Sequence, residues 1–128
     1  MKFYKQIAPF HVDERGEMTY LLDETVKINS VLLITSKKGS IRANHIHKKD
    51  SHYAYLLKGS MEYTYGDFEK PEELEKIIVK AGDMVFTPPG EVHAMRFLED
   101  SAFLALTTEK RDQEKYEKDL ERVVIVEK

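Results

Sequence analysis

The sequence predicts an all-β domain, a sandwich or barrel of many short strands with one helical segment near its C-terminus. Through the first 110 residues, short runs rich in β-branched and aromatic side chains follow one another. Gly, Pro, Asn and Asp separate these runs, which is typical of the turns between short strands. The chain has 128 residues, the length of one ordinary domain, so we expect residues 1–128 to form a single unit.

Nine runs have the composition of strands, and each is bounded by polar or glycine-containing residues. They are Met18–Leu22, Ser30–Ser36, Ile41–His47, Ser51–Leu57, Ser60–Tyr65, Glu75–Lys80, Asp83–Thr87, His93–Leu98 and Ser101–Thr107. Lys58-Gly59 and Ala81-Gly82-Asp83 predict tight turns between neighbouring strands. Phe3–Ile7 is a further candidate, as a strand of this domain or as one that pairs with a second subunit.

The C-terminal part has a different composition. Residues 109–122 are dense in Glu, Lys, Arg and Asp, and Tyr116, Leu120 and Val123 recur at the spacing of one helical face. We therefore predict a helix over 109–122, capped by Thr108 and packed on the β domain with its charged side in solvent. A short apolar strand, Val123–Val126, is expected to follow it.

Composition excludes several classes of function. The net charge is only −3, from 20 basic and 23 acidic residues, which argues against nucleic acid or an anionic membrane as a partner. No apolar run is long enough to span a bilayer, and the N-terminus lacks the apolar core of a secretory signal, so we expect a cytoplasmic protein. Because there is no cysteine, a metal would have to be held by nitrogen and oxygen.

Histidine is the residue type that suggests chemistry. His45 and His47 are two residues apart in a predicted strand, so both rings point to the same face and could share one metal ion. His52 opens the next predicted strand, and His93 opens a later one. His11 lies apart from these four and is expected at the surface.

The spacing around these histidines carries a family resemblance. The first block reads Gly39, five residues, His45, one, His47, four, His52, six, Gly59; the second reads Gly82, five residues, Pro88-Pro89-Gly90, two, His93. These spacings are those of the two motifs of the cupin superfamily, and the chain resembles a single-domain cupin from residue 39 to residue 93. The resemblance implies a jelly-roll barrel, also called a double-stranded β-helix.

The same resemblance implies a metal site made of His45, His47, His52 and His93. Histidine stands at position 52 where most metal-bearing cupins have Glu, and Phe97 stands where many have Asn. Four neutral imidazoles suit a divalent transition metal, Fe, Mn, Ni, Zn or Cu, and disfavour Mg or Ca. A metal-free pocket, with the histidines as acid and base groups or as bystanders, is the alternative.

The strands beside His93 supply candidate pocket residues. If His93 points inward, strand alternation places Met95 and Phe97 on the same face. Tyr63 lies on the neighbouring predicted strand, and the sequence leaves open whether its face or the opposite one points inward. An apolar cavity with a few converging polar groups is the usual form of a small-molecule site. We therefore take Tyr63, Met95 and Phe97 as candidate substrate-binding residues.

Three cations flank the histidine pair. Lys48 and Lys49 follow it, whereas Arg42 precedes His45 by three residues and should face the other way unless the strand bulges. These cations could be solvated, or could meet a phosphate or carboxylate at the barrel mouth.

A second resemblance involves Asp13-Glu14-Arg15-Gly16 together with Arg42-Ala43-Asn44-His45-Ile46-His47-Lys48. These segments look like those of the sugar-nucleotide ketoisomerases and epimerases among the cupins. Such enzymes act on nucleotide-linked 4-keto sugars, and their histidine pair shuttles protons beside a carbonyl without a metal. The resemblance implies His45 and His47 as catalytic residues, with Arg42 or Lys48 facing the phosphates.

Three functions follow as alternatives. The first is an isomerase or epimerase of a keto sugar, and the second is a metal-dependent dioxygenase that uses the four-histidine site. The third is a binding or sensor module without chemistry, because a fold does not decide function. In each case we expect a small-molecule ligand and a homodimer, since small barrels often cover an exposed strand edge by symmetric pairing.

Overall fold

About half of the chain is strand in a computed structural model that describes residues 1–22, 25–109 and 112–128. In chain order the elements are β1 (Lys2–Tyr4), β2 (His11–Asp13), β3 (Gly16–Met18), β4 (Ser30–Ser36), β5 (Ile41–His47), β6 (His52–Lys58), β7 (Ser60–Gly66), a 3₁₀ turn (Pro71–Glu73), β8 (Glu75–Lys80), β9 (Met84–Thr87), β10 (Val92–Phe97), β11 (Ser101–Thr107), α1 (Gln113–Asp119) and β12 (Leu120–Arg122).

Two five-stranded antiparallel sheets form the barrel. The first has the order β1-β9-β6-β11-β4 and the second has the order β12-β5-β10-β7-β8, while β2 and β3 form a separate hairpin. Strands distant in sequence are neighbours in both sheets, so the chain crosses repeatedly from one sheet to the other. The all-β jelly-roll prediction, with one short helix near the C-terminus, is confirmed.

The strands that form the barrel follow the sequence pattern closely. β4, β5, β8 and β11 have the predicted bounds residue for residue, and β6, β7, β9 and β10 differ from them by one residue at one or both ends. Their alternating side chains meet in one core between the sheets. The buried core residues are Ala54, Leu56, Met61, Tyr63, Val79, Val85, Met95, Phe97, Phe103 and Ala105.

The N-terminal strand predictions are partly wrong. Met18–Leu22 does not form the predicted strand. The chain forms the β2–β3 hairpin instead, and Met18, the last residue of β3, pairs with His11. The predicted strand Phe3–Ile7 is β1, which stops at Tyr4 and pairs with β9 of the same chain. It stops there because Gln6 has a left-handed φ of 45° and bonds to Asp83 through both its backbone and its side-chain amide.

The predicted C-terminal helix is too long. Helix α1 ends at Asp119, and the next three residues are β12, which pairs with β5. Thr108 does not cap the helix, because its hydroxyl bonds to Asp50 and Ser51 instead. Residues 110 and 111 of the predicted helix lie outside the described residues. Val123–Val126 is not a strand; the Val123 N–H donates to the Asn44 carbonyl in β5, and the N–H groups of Ile125 and Val126 donate to the Asn44 side chain.

Among the described residues, no helix is long and apolar enough to cross a membrane.

Candidate active site

Four buried histidines converge between the two sheets. His45 and His47 come from β5 and His93 from β10 of the second sheet, while His52 opens β6 of the first. The ring centroids of His45 and His47 lie 4.6 Å apart, those of His45 and His93 4.8 Å, and those of His52 and His93 5.1 Å. The convergence expected from strand alternation and from the two motifs is therefore present.

Register explains why the rings meet. His93 lies directly opposite His45 in the antiparallel pair of β10 and β5, so the two side chains share one face. His47 lies two residues further along β5 on the same face. His52 reaches the same place from the other sheet, and its ring centroid is 5.2 Å from that of His47.

The histidine donors fit a metal ion. One ring nitrogen from each of His45, His47 and His93 lies within 4.8 Å of the other two, and all three residues are buried. Neutral imidazole nitrogens are donors that divalent transition metals accept, at distances of about 2 Å. His52 is in ring contact with His47 and His93 but does not belong to this close set.

The carboxylate of Asp119, a residue not predicted from the sequence, bonds to the ring of His47. Its Oδ2 lies 3.1 Å from His47 Nδ1, and it also accepts hydrogen bonds from the backbone N–H groups of Lys49 and Asp50. Burial acts to raise the pKa of Asp119, but the two backbone donors and the His47 ring outweigh it, so the pKa lies below its usual value. The residue is therefore a carboxylate that can only accept, and it places the Nδ1 hydrogen on His47.

A bulge in β5 turns Arg42 toward the site. Ala43 and Asn44 have left-handed φ values of 69° and 56°, and opposite them the register with β10 shifts by one residue. Because of the extra residue, Arg42 pairs with Met95 and lies on the same face as His45. Its guanidinium donates to Ser36 Oγ at 2.7 Å and to the Thr35 carbonyl at 2.8 Å.

A cavity of about 470 Å³ opens beside the histidines. This volume is in the range of small-molecule sites. Its apolar wall is made by Leu32, Ile34, Ile41, Ala43, Met95, Phe103 and Ala105, and its polar wall by Arg42, His45, His52, His93, Asp112 and Arg122. An apolar wall that faces a few cations and imidazoles suits an anionic ligand with a compact, partly apolar body.

The candidate substrate-binding residues are placed differently from one another. Arg42 and Met95 line the cavity. Tyr63 lies inward but behind the site, with its ring stacked 6.1 Å from His93 and its hydroxyl bonded to Thr87. Burial raises the pKa of Tyr63 far above its usual value, so it stays a neutral phenol. Phe97 is buried in the core, where its ring stacks on that of Phe103.

Lys48 and His47 are not among the described residues that line the cavity. Lys48 is exposed and donates to the Lys118 carbonyl near the end of α1. His47 touches the other imidazoles while Asp119 holds its far side. Of the two histidines predicted to be catalytic, His45 is therefore the one that a bound molecule would meet.

The sequence motifs do not include three polar residues of the site. Asp112 and Arg122 line the cavity, and Asp119 bonds to His47. The carboxylate of Asp119 is 72 residues from His47 in the chain, so no local spacing connects them. All three lie in the C-terminal segment, whose charge pattern indicates only a solvated helix. Their proximity to the histidines depends on the pairing of β12 with β5.

Comparison with known proteins agrees with the fold. Residues 32–109 match the cupin domain. No curated protein matches the chain. The QdtA 3,4-ketoisomerase from Thermoanaerobacterium thermosaccharolyticum, a double mutant in complex with TDP, has a TM-score of 0.75 and 27% identity, over 94% of this chain and 86% of that one.

Two further solved structures share the fold at lower identity. A 3,4-ketoisomerase from Helicobacter canadensis has a TM-score of 0.77 and 20% identity, over 94% of this chain and 89% of the other. The dTDP-4-dehydrorhamnose 3,5-epimerase from Sulfolobus tokodaii has a TM-score of 0.68 and 20% identity, over 82% and 69%. The cupin match covers more than half of the chain and includes all four clustered histidines, so this protein belongs to the cupin family.

Proposed function

We propose that this cupin is an isomerase or epimerase of a nucleotide-linked keto sugar, which moves a proton at a carbon next to the carbonyl. The observation that carries the proposal is His45 in the cavity wall, beside Arg42 and in contact with the His47–Asp119 pair. The structures of similar 3,4-ketoisomerases support it, since QdtA has been solved with TDP and with TDP-4-keto-6-deoxyglucose.

His45 is the proposed base. An imidazole suits this task because its ordinary pKa lies near neutral pH. On a 4-keto sugar it would take the proton from C3, and the electron pair of the broken C–H bond would form the C3–C4 double bond of an enolate. Protonation of O4 gives an enediol. Return of a proton to C4, with loss of the O3 proton, moves the carbonyl to C3 without any oxidant. Return of a proton to C3 from the opposite face, with loss of the O4 proton, restores the C4 carbonyl and gives an epimer.

His47 and Asp119 would complete this proton relay. Because Asp119 accepts the Nδ1 hydrogen, the neutral His47 ring carries its lone pair on Nε2. The ring is in edge contact with His45, so it can share the proton that His45 removes. Asp119 would stabilise the imidazolium that forms, as a carboxylate does behind a catalytic histidine.

A metal-dependent dioxygenase is the second candidate, and the donor set of His45, His47 and His93 favours it. Those three residues, with His52 as the predicted fourth ligand, would hold a divalent transition ion such as Fe, Mn, Ni, Zn or Cu. A bound ion would supply a Lewis acid that polarises a substrate oxygen. The Asp119–His47 pair is compatible with this reading too, because metal-bound histidines commonly bond to a carboxylate.

Deuterium exchange separates the two candidates. Chelator-treated protein is incubated with TDP-4-keto-6-deoxyglucose in D₂O, and deuterium next to the carbonyl is followed by NMR. We expect exchange without metal, loss of exchange in His45→Asn, and normal exchange in the control His11→Asn, whose residue lies on an exposed hairpin. Exchange that appears only after a metal is added back, or O₂ uptake in place of exchange, would contradict the metal-free isomerase.

The homodimer stays a prediction. Light scattering on the purified chain should give a mass near twice the 14.9 kDa of one copy. A mass near that of one copy would contradict it.

A further inference from the structure

The segment after α1 lies against the histidine site. β12 pairs with β5 in a register that sets Leu120 opposite His47 and Arg122 opposite His45. Directly opposed residues of antiparallel strands project to the same face. Arg122 therefore lies on the cavity face next to His45, and it lines the cavity.

Arg122 and Arg42 flank His45 from two directions. Arg122 is its neighbour across the strand pair, and Arg42 is its neighbour along β5, brought to this face by the bulge. Asp112 is the one carboxylate among the described lining residues, so the two guanidinium groups exceed it in charge. Such a rim favours an anion that carries more than one negative charge.

Asn44, the bulge residue between Arg42 and His45, holds the C-terminal segment in place. Its Oδ1 accepts hydrogen bonds from the backbone N–H groups of Ile125 and Val126, both at 3.0 Å. Its Nδ2 donates to the Val126 carbonyl at 2.9 Å, and its own carbonyl accepts from Val123 N–H at 2.9 Å. Because β12 has only three residues, these four bonds do much to fix its position.

From this arrangement we infer that Arg122 is a second cation for the diphosphate of a nucleoside diphosphate ligand, and that Asn44 is the positioning residue that keeps it at the rim. The guanidinium fork of Arg122 suits phosphate oxygens, and together with the charge of Arg42 it gives two cations for two adjacent phosphates. The ligand class rests on the proposed function, whereas the roles of Arg122 and Asn44 follow from the strand register and the hydrogen bonds.

Calorimetric titration with TDP tests Arg122. Arg122→Gln should raise the Kd for TDP by roughly ten- to a hundredfold, the usual loss for a charge-assisted hydrogen bond. The control Glu121→Gln changes the exposed neighbour in the same strand and should leave the Kd unchanged. Arg122→Lys, which keeps the charge without the fork, should lie between the two.

Two results would overturn the role of Arg122. One is a Kd for TDP in Arg122→Gln within twofold of the wild-type value. The other is a weaker Kd that comes with a lower melting temperature and no recovery in Arg122→Lys, since this would show a structural residue only.

Asn44→Gly tests the positioning role. Glycine adopts the left-handed conformation of this position without strain, so the change removes the side-chain bonds and spares the bulge. Asn44→Gly should weaken TDP binding, and Asn44→Gly combined with Arg122→Gln should be no weaker than Arg122→Gln alone. Losses that multiply in the double variant would overturn the positioning role.

The same variants distinguish this inference from the proposed function. If the wild-type chain binds TDP through Arg122 but never exchanges deuterium into a keto sugar, the isomerase proposal fails and the diphosphate site stands. If deuterium exchange occurs and Arg122→Gln leaves the KM for the keto sugar unchanged, the diphosphate site is contradicted and the isomerase proposal stands.

Discussion

Replacing Asp119 by Asn tests how the catalytic histidines are held. Asp119 Oδ1 accepts the Lys49 N–H at 2.8 Å, and Oδ2 accepts the Asp50 N–H at 3.2 Å and His47 Nδ1 at 3.1 Å. Asparagine has the same shape but only one accepting oxygen. Whichever way the amide turns, its NH₂ group faces at least one of these three donors.

The cost can be worked from those contacts. One donor left without an acceptor costs about 1–3 kcal/mol, and the remaining bonds lose their charge-assisted strength. The Asp119 side chain is 14% exposed, so water can replace little of what is lost. We therefore expect Asp119→Asn to lower the free energy of unfolding by about 2–3 kcal/mol.

Urea denaturation followed by circular dichroism measures this loss in chelator-treated protein. Glu121→Gln is the matched control, because it makes the same carboxylate-to-amide change at an exposed position of β12 and should cost less than about 0.5 kcal/mol. An Asp119→Asn variant as stable as this control would show that the carboxylate does not hold the end of β5.

The same variant should impair the proposed proton transfer. In either orientation the amide removes the negative charge that would stabilise a His47 imidazolium, and in the orientation with its NH₂ group opposite His47 Nδ1 it also moves the ring hydrogen to Nε2, which is the wrong tautomer for a base. We expect deuterium exchange to slow by about a hundredfold or more, the usual worth of a positioned acid–base group. Unchanged exchange would mean that His47 takes no part in the relay.

Two further changes test local features of the fold. In Gly59→Ala the new Cβ would lie 2.7 Å from the Asp100 carbonyl oxygen and 2.8 Å from Ser101 Cβ, at a φ of +90°, so we expect a loss of about 2–4 kcal/mol in urea denaturation. Gly39→Ala, at a φ of +86° with no atom within 4 Å, should lose only about 1–2 kcal/mol, and equal losses would contradict the contact. The Arg15 side chain is the main cause of the low pKa of Asp13, about 2, and Arg15→Gln should return that pKa toward 3.8 in an NMR titration. Because the folded pKa is the lower one, this pair stabilises the fold above about pH 4 and loses its effect as the pH falls toward 2; an unchanged Asp13 pKa would refute the pairing.

Local sequence information suffices for the barrel strands. Side-chain alternation and glycine breaks operate within a few residues, so they predict the bounds of β4, β5, β8 and β11 without knowledge of their partners. The same holds for the histidines, since strand alternation places His45 and His47 on one face and the motif spacing adds His52 and His93.

The termini are different, because long-range contacts override their local pattern. Leu120 and Val123 continue the apolar spacing of a helix, yet pairing with β5 extends the chain from residue 120. The pairing supplies backbone hydrogen bonds in a stretch where a helix end would leave its last carbonyls unpaired. The strand predicted over Met18–Leu22 fails for a related reason, since β2 begins at His11, opposite Met18, and gives the residues after Met18 no strand partner.

The bulge of β5 explains why the sequence does not predict which way the Arg42 side chain faces. Strict alternation turns Arg42 away from His45, and the left-handed pair Ala43 and Asn44 reverses that outcome with a single extra residue. Asparagine is among the few residue types that tolerate such a φ, so its presence beside the histidine pair was compatible with a bulge without requiring one. At this bulge the Asn44 side chain bonds to backbone groups that lie 81 and 82 residues later in the chain. The two cations beside His45 therefore come from the histidine motif, through Arg42, and from the C-terminal segment, through Arg122, and only the first of these can be recognised locally.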